Sequence, residues 1–231
     1  MWINWNDLPE SMKNEQVRHY YKILKKKQGS LIVKRGFDIV ASLVMLILLS
    51  WLFLILAVAI KGDSHGPVFY RQVRVTTGNR DFRIFKFRTM VNNADKIGSL
   101  VTTGNDSRIT RIGAKIRKCR LDEIPQLLNI LKGEMSFVGT RPEVRKYVDR
   151  YTDEMMATLL MPAGVTSLAS ISFKDEDELI DEYTEKGMSV DNAYMEKVLP
   201  EKMEYNLKYM NQFGVFRDIK LMIQTFVSVI K

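Results

Sequence analysis

Cysteine and histidine are nearly absent from this sequence: Cys119 is its one cysteine, and His19 and His65 are its two histidines. A single thiol excludes an internal disulfide and suits a reducing compartment. Two distant imidazoles with no cysteine cluster leave no zinc site. Proline is sparse, at six residues, and no repeat, low-complexity tract or disordered linker breaks the chain. The length, 231 residues, suits one domain with a membrane element rather than two domains. The most informative absence is charge. From Ile39 to Ile60 no side chain ionises, although the chain carries 35 Lys and Arg and 27 Asp and Glu.

As a helix, that uncharged run would extend about 33 Å, the thickness of a bilayer core. A cleaved signal peptide is excluded, because the run starts too far from the N-terminus and no small-residue cleavage site follows. A buried core helix is the weaker alternative at this length. Cations flank both ends: Lys22, Lys25, Lys26, Lys27, Lys34 and Arg35 before it, then Lys61, Arg71, Arg74 and Arg80 after it. The positive-inside rule places both ends in the cytoplasm, which a simple span cannot satisfy. The expectation is a re-entrant segment bent near Ser50, whose hydroxyl can bond back to the preceding turn. Lys34, Arg35 and Lys61 would snorkel to one interface and anchor it.

Between Arg108 and Pro142 the composition turns to chemistry. Arg108, Arg111, Lys115, Arg117, Lys118 and Arg120 lead into Asp122 and Glu123, followed by Pro125 and the apolar face Ile124, Leu127, Leu128 and Leu131. Proline is tolerated in a first helical turn, so both acids lie at a helix N-terminus, where free N–H groups favour anions. The same field is expected to keep Asp122 ionised at neutral pH. A purely structural reading also exists, with Asp122 as N-cap and Glu123 as a first-turn acid. Six converging cations favour a site that holds phosphates around an anionic nucleophile or metal ligand. Lys86, Arg88 and Arg141 are further candidates for phosphate contact, Arg141 because Gly139-Thr140-Arg141-Pro142 pre-orders it.

Periodicity gives a coarse map. Residues 5–28 predict an amphipathic helix with a basic end, an interfacial anchor whose Trp2, Trp5, Tyr20 and Tyr21 suit a headgroup layer. Val68–Tyr70 and Phe82–Phe87 predict strands, with Thr-Thr-Gly-Asn as a turn between them. Residues 92–97, 109–117, 124–131, 143–160, 191–209 and 216–230 predict helices, and 162–167 a loop. The acidic run from Asp175 to Glu185 predicts a solvated face. Val215, Phe216, Ile219, Met222, Ile223, Phe226 and Ile230 make an apolar stripe suited to core packing or membrane contact.

The order Lys34-Arg35-x-x-Asp38, the apolar run, Gly66-Pro67-Val68-Phe69-Tyr70-x-Gln72-x-Arg74, Phe85-Lys86-Phe87-Arg88-Thr89-Met90, and the block from Leu121-Asp122-Glu123-x-Pro125-Gln126 to Gly139-x-Arg141-Pro142 resembles the bacterial sugar transferases. These are monotopic phosphoglycosyl transferases that start surface glycan assembly on a polyprenyl phosphate. The resemblance runs from about Lys34 to the C-terminus and suggests the family's minimal form. It implies a ping-pong transfer in which Asp122 attacks the β-phosphate of a nucleoside diphosphate sugar, usually a UDP-sugar. Polyprenyl phosphate then displaces the phosphosugar from Asp122. Glu123 matches the partner acid associated with Mg²⁺, so Asp122 and Glu123 are the candidate metal ligands, and Arg117 matches a phosphate-binding arginine. Three departures stand out: Ser50-Trp51 replaces the family's Ser-Pro bend, Thr140 replaces a proline, and Pro162-Ala163-Gly164-Val165-Thr166-Ser167 stands where the family has Pro-Gly-x-Thr-Gly.

The expected fold is therefore α/β and helix-dominated: a small cytoplasmic catalytic domain with a re-entrant N-terminal membrane helix and interfacial amphipathic helices. Its divisions are an amphipathic extension over 1–33, the membrane helix over 34–62 and the phosphoglycosyl transferase domain over 63–231. The expected setting is the cytoplasmic face of the bacterial inner membrane. The partners are a UDP-sugar, polyprenyl phosphate and membrane lipid, with a homodimer left open. A net charge of +8 and a pI of 9.4 would also suit a nucleic-acid binder, but no binding motif supports that class. A non-catalytic membrane scaffold with the same fold is the other alternative, and the intact acid pair argues against it.

Overall fold

In a computed structural model, residues 2–94, 97, 106–173 and 176–230 are described. Asp95 and Lys96 of the helix expected over 92–97, and Asp175 of the acidic run, lie outside them. Helices dominate, around two small sheets.

Helix α1 (Glu15–Lys25) begins where the Asn14 side chain accepts from the Val17 N–H at 2.8 Å. Its apolar face, Val17, Tyr20, Tyr21 and Leu24, is buried in the main core with Tyr209, Met210 and Phe213. Trp2 and Trp5 pack on Tyr21, with ring centres 4.7 and 5.3 Å away. The expected headgroup anchor is thus a piece of the protein core. An aromatic amphipathic face carries the same pattern whether it meets lipid or protein, and here protein covers it.

Helices α2 (Gln28–Leu48) and α3 (Ser50–Asp63) meet at a 61° bend around Leu49. Ser50 Oγ donates to the Ile47 carbonyl at 2.8 Å, so the hydroxyl takes an acceptor of the preceding turn at the bend. Neither helix alone is long and apolar enough to cross a bilayer; the bent pair has the length and composition together. Val40, Ile47, Leu48, Trp51, Leu54 and Val58 are each more than 60% exposed. An apolar surface that continuous marks an interaction face.

The opposite face of α2 fastens to the rest of the molecule. Lys34, expected as a headgroup anchor, is instead buried, with Nζ 2.6 Å from Asp218 Oδ2. Tyr209 donates to the other Asp218 oxygen at 2.9 Å. Arg35 donates to the carbonyls of Ile130 and Leu131 at 2.6 and 3.0 Å, capping helix α5 (Leu127–Lys132) at its negative end. Asp38 accepts from the Phe137 N–H at 3.2 Å. Of the three expected anchors, Lys61 is exposed.

Strands β1 (Phe69–Thr76) and β2 (Arg80–Phe87) pair antiparallel, Phe69 opposite Phe87 and Thr76 opposite Arg80. They are joined at the expected turn, where Gly78 and Asn79 both take positive φ. After helix α4 (Arg111–Lys118) and α5, β3 (Met135–Val138) pairs parallel with β4 (Ala163–Thr166). The crossover between them holds α6 (Arg145–Val148) and a 3₁₀ segment, Met155–Leu160, in place of the single helix expected over 143–160. The sheet exists only because two glycines meet: a Cβ on Gly139 would lie 2.2 Å from the Pro162 carbonyl oxygen, and one on Gly164 2.3 Å from the Gly139 nitrogen. Helices α7 (Leu168–Ser172), α8 (Glu176–Glu185) and α9 (Val190–Ala193) follow. A π turn, Tyr194–Val198, runs into α10 (Leu199–Gln212), with Pro200 in its first turn. Helix α11 (Val215–Ile230) exposes Phe216, Ile219, Ile223 and Phe226 and buries Leu221.

The buried pair separates Lys34 from an ordinary interfacial lysine. Lys34→Met leaves Asp218 buried without its cation and should cost ~3–5 kcal/mol, whereas Lys61→Met should change stability by less than ~0.5 kcal/mol. Denaturation of both variants in detergent micelles measures the contrast; equal stabilities would show that the pair does not hold the hairpin.

Candidate active site

The acids sit at a junction of backbone types. Helix α4 ends at Cys119, and Arg120 takes the left-handed conformation, φ 51° and ψ 24°. A 3₁₀ turn, Leu121–Gln126, then carries Asp122 and Glu123 in its first turn and leads directly into α5. Pro125 therefore lies inside the 3₁₀ turn, ahead of the α-helix. A left-handed non-glycine residue is uncommon and costly, and it redirects the chain here so that both acids face a cleft.

Three elements bring cations to Glu123. Lys86, near the end of β2, places Nζ 3.3 Å from Glu123 Oε1. Arg141, from the loop after β3, places Nη2 3.3 Å from the same oxygen. Arg120 approaches Oε2 at 3.9 Å. Burial works to raise the Glu123 pKa, but Lys86, Arg141 and Arg120 outweigh it and hold the carboxyl at about 2. Arg141 is pushed above its ordinary value by Glu123. Lys86 is lowered, because its own burial outweighs the attraction of Glu123 and Asp122.

Asp122 behaves differently. Burial raises its pKa, Glu123 adds to the rise, and the pull of Lys86 and Arg117 does not reverse it. The sequence reading let the cations dominate; in the folded protein desolvation does. No side chain among the described residues hydrogen-bonds the Asp122 carboxylate, while Glu123 is surrounded.

Two fasteners fix this geometry. Asn129 is fully buried; its Oδ1 accepts from the Phe85 N–H at 2.8 Å and its Nδ2 donates to the Arg83 carbonyl at 2.9 Å. It thus acts as a strand partner for β2 and sets Lys86 beside Glu123. Helix α4, which carries Arg117, is capped by Thr110, whose Oγ1 accepts from Gly113 at 3.0 Å, and by Asp63, which accepts from Ile112 at 2.8 Å. A Cβ on Gly113 would lie 2.0 Å from the Thr89 carbonyl oxygen, so only glycine lets α4 sit this close.

The candidates are only partly brought together. Asp122, Glu123, Lys86, Arg117 and Arg141 share one cleft of about 1010 Å³, the upper range for a small-molecule site. Lys118 and Arg120 also line it, while Arg111 and Lys115 do not. Arg108 lines it too but is bound to Asp106 at 2.5–3.1 Å. Arg88 also borders the cleft, with its two terminal nitrogens engaged elsewhere. It donates to the Ser64 carbonyl and hydroxyl at 2.5 and 3.0 Å and to the His65 carbonyl at 3.0 Å, closing the C-terminal end of α3. These bonds make it a structural clamp on α3, while its buried Nε has no hydrogen-bond partner among the described residues. Sequence reasoning missed Arg74, Glu143, Tyr194 and Lys202 on the cleft wall; only Arg74 stood inside a quoted motif.

Among the described residues, no three His, Cys, Asp or Glu side chains converge as a metal cage. Mg²⁺ is commonly held by one or two carboxylates together with substrate phosphates. Asp122 and Glu123 supply that number of hard oxygens, so the pair fits a Mg²⁺ carried in with a diphosphate.

The Glu123 ion pairs have a pH signature. A free glutamate titrates near 4.5 and Glu123 at about 2, so its stabilising contribution is complete above about 4.5 and is lost as the pH falls toward about 2. The stability difference between wild type and Glu123→Gln should be constant at higher pH and shrink through that window in thermal melts. A difference that stays flat would show that the three cations do not set the Glu123 charge.

A family model described as bacterial sugar transferase matches residues 29–231. The UDP-N-acetylgalactosamine-undecaprenyl-phosphate N-acetylgalactosaminephosphotransferase of Aeromonas hydrophila is 36% identical over 201 residues, covering 86% of this chain and 44% of that protein. The UDP-glucose:undecaprenyl-phosphate glucose-1-phosphate transferase of Klebsiella pneumoniae is 33% identical over 201 residues, covering 85% and 40%. This chain thus spans less than half the length of either protein. The exopolysaccharide production protein ExoY of Rhizobium meliloti is 31% identical over 213 residues, covering 86% of this chain and 85% of its own length. With the acid pair, its cations and the uncharged apolar run all inside the matched region, the chain belongs to the bacterial sugar transferase family.

Proposed function

We propose that the chain moves a phosphosugar from a nucleoside diphosphate sugar, a UDP-sugar first of all, to polyprenyl phosphate through a covalent intermediate on Asp122. The observation that carries this is the contrast between the two acids. Glu123 is neutralised by three cations, whereas Asp122 keeps an uncommitted carboxylate beside them. The relatives' names supply the substrate class: UDP-linked sugars and undecaprenyl phosphate.

In the first step an Asp122 oxygen attacks the phosphorus bearing the sugar. The bond to the bridging oxygen breaks, and UMP leaves with the electron pair. In the second step a phosphate oxygen of the polyprenyl carrier attacks the same phosphorus, breaks its bond to Asp122 and restores the carboxylate. Splitting one displacement into two is the gain of covalent catalysis. Lys86, Arg117 and Arg141 neutralise the phosphoryl oxygens, since this chemistry depends chiefly on positioning and charge. Mg²⁺, held by Asp122, Glu123 and the diphosphate, would supply further charge neutralisation. Burial that raises the Asp122 pKa also makes its anion more basic, hence more nucleophilic. The hairpin of α2 and α3 is read as re-entrant at the cytoplasmic face of the bacterial inner membrane, where a soluble donor and a lipid-borne acceptor share one side.

Asp122→Asn should abolish UMP release and the phosphosugar adduct that intact-protein mass detects on wild type. Near-normal turnover in that variant would reduce Asp122 to a helix cap. Arg117→Ala should cost at least ~2 kcal/mol of transition-state stabilisation, the scale of a charge-assisted phosphoryl contact.

Topology has its own test. Single cysteines near residues 10 and 185, in a Cys119→Ser background, should both resist an impermeant thiol reagent until the cells are opened. Labelling of the first site from outside would establish a true span in place of re-entry.

A further inference from the structure

The cleft continues beyond the phosphate-binding cations into a second polar group that the transfer chemistry leaves unused. Glu143, Tyr194 and Lys202 are each at least 94% buried, yet all three line the same cleft as Asp122. Tyr194 donates to Glu143 Oε1 at 2.7 Å. Lys202 Nζ donates to the Tyr194 hydroxyl at 3.1 Å and to both oxygens of Glu176 at 2.9 and 3.1 Å, and lies 3.9 Å from Glu143. Arg74 approaches the other Glu143 oxygen at 3.9 Å. Three far-separated stretches, residue 143, residue 176 and residues 194–202, converge on this wall.

Its charge differs from that around Asp122. Two carboxylates balance Lys202 and Arg74, so the wall has little net attraction for a phosphate. It offers what a neutral polyhydroxyl group needs: carboxylate oxygens to accept from hydroxyls, and an ammonium and a phenol to donate to them. Arg141, which Glu123 holds, is also within electrostatic reach of Glu176 and Glu143, so the two groups adjoin through one residue. The phosphorus that Asp122 would attack carries the sugar, which must therefore lie next to the Arg141 end. A nucleobase fits less well. The Tyr194 ring already packs on Tyr147, with centres 4.7 Å apart, and the Lys202 ammonium lies 5.0 Å from its centroid.

We propose that Glu143, Glu176, Tyr194 and Lys202 form the subsite for the sugar of the donor, with Glu176 and Lys202 selecting among hydroxyl configurations. The inference rests on the transfer reading given above. It assigns sugar choice to a wall built from residues 143–202, downstream of the acid pair.

The test uses the full chain in detergent with UDP-glucose, UDP-galactose and their N-acetylated counterparts, reading UMP release, together with inhibition by UMP alone. Glu176→Gln is near-isosteric and its side chain is partly exposed, so it should fold; Tyr194→Phe keeps the ring and removes only the hydroxyl. Melting temperatures confirm that both are folded. In each, kcat/KM for the preferred donor should fall about tenfold or more, the preference among sugars should change, and the UMP inhibition constant should stay within about twofold. Unchanged sugar preference in both folded variants would overturn the subsite. Weaker UMP inhibition in step with the lost activity would overturn it too, by assigning the wall to the nucleoside. A wild type that releases UMP from no donor defeats the transfer reading itself, and the subsite with it. An active wild type with unmoved variants defeats the subsite alone.

Discussion

A carboxylate cannot remain charged out of water unless its charge is matched nearby, and the structure around Glu123 is arranged to meet that condition. Its three cations come from the end of β2, from a left-handed residue between α4 and the 3₁₀ turn, and from the loop after β3. None of those segments neighbours another in simple sequence order. Asn129 pairing with β2, Gly113 admitting α4, and Gly139 meeting Gly164 are all conditions for bringing them to one carboxylate. With Glu123 satisfied, Asp122 can stand beside the same cations without being consumed by them. One acid organises the field and the other stays free of side-chain hydrogen bonds among the described residues.

The bent apolar pair of α2 and α3 is joined to that arrangement at both ends. Lys34, Arg35 and Asp38 hold the start of α2 to α11, α5 and β3. Arg88 and Asp63 connect the end of α3 to β2 and α4. Residues that anchor the hairpin therefore also position the strand bearing Lys86 and the helix bearing Arg117. The site and the bent helix pair form one mechanical unit.

Much of this was legible from the sequence where the signal was local. An uncharged run of 22 residues has few interpretations, and Ser50 marked the bend. Thr-Thr-Gly-Asn marked the β-hairpin, and the Asp122–Arg141 block marked the acid pair. What escaped was set by partners distant in the chain. β3 and β4 have four residues each, too few for a period, and exist through their mutual pairing. Lys34 and Arg88 read as free cations because their acceptors, Asp218 and the Ser64 and His65 carbonyls just past α3, are invisible to local pattern. The tryptophans near the N-terminus were assigned to lipid since amphipathicity does not say what covers the apolar face. Glu143, Tyr194 and Lys202 carried no local mark; the crossover and α10 bring them together.

The pairing of Lys34 with Asp218 also has a consequence in time. The two residues are 184 positions apart. A ribosome adding about 5–20 residues per second therefore delivers the aspartate roughly 10–40 s after the lysine. Throughout that interval α2 and α3 are already made and apolar, yet the buried lysine of α2 has no partner. During synthesis the lysine therefore stays solvated while the apolar surface of α2 and α3 is already complete. Only when α11 emerges can Asp218 close onto Lys34, so the last helix completes the fastening of α2.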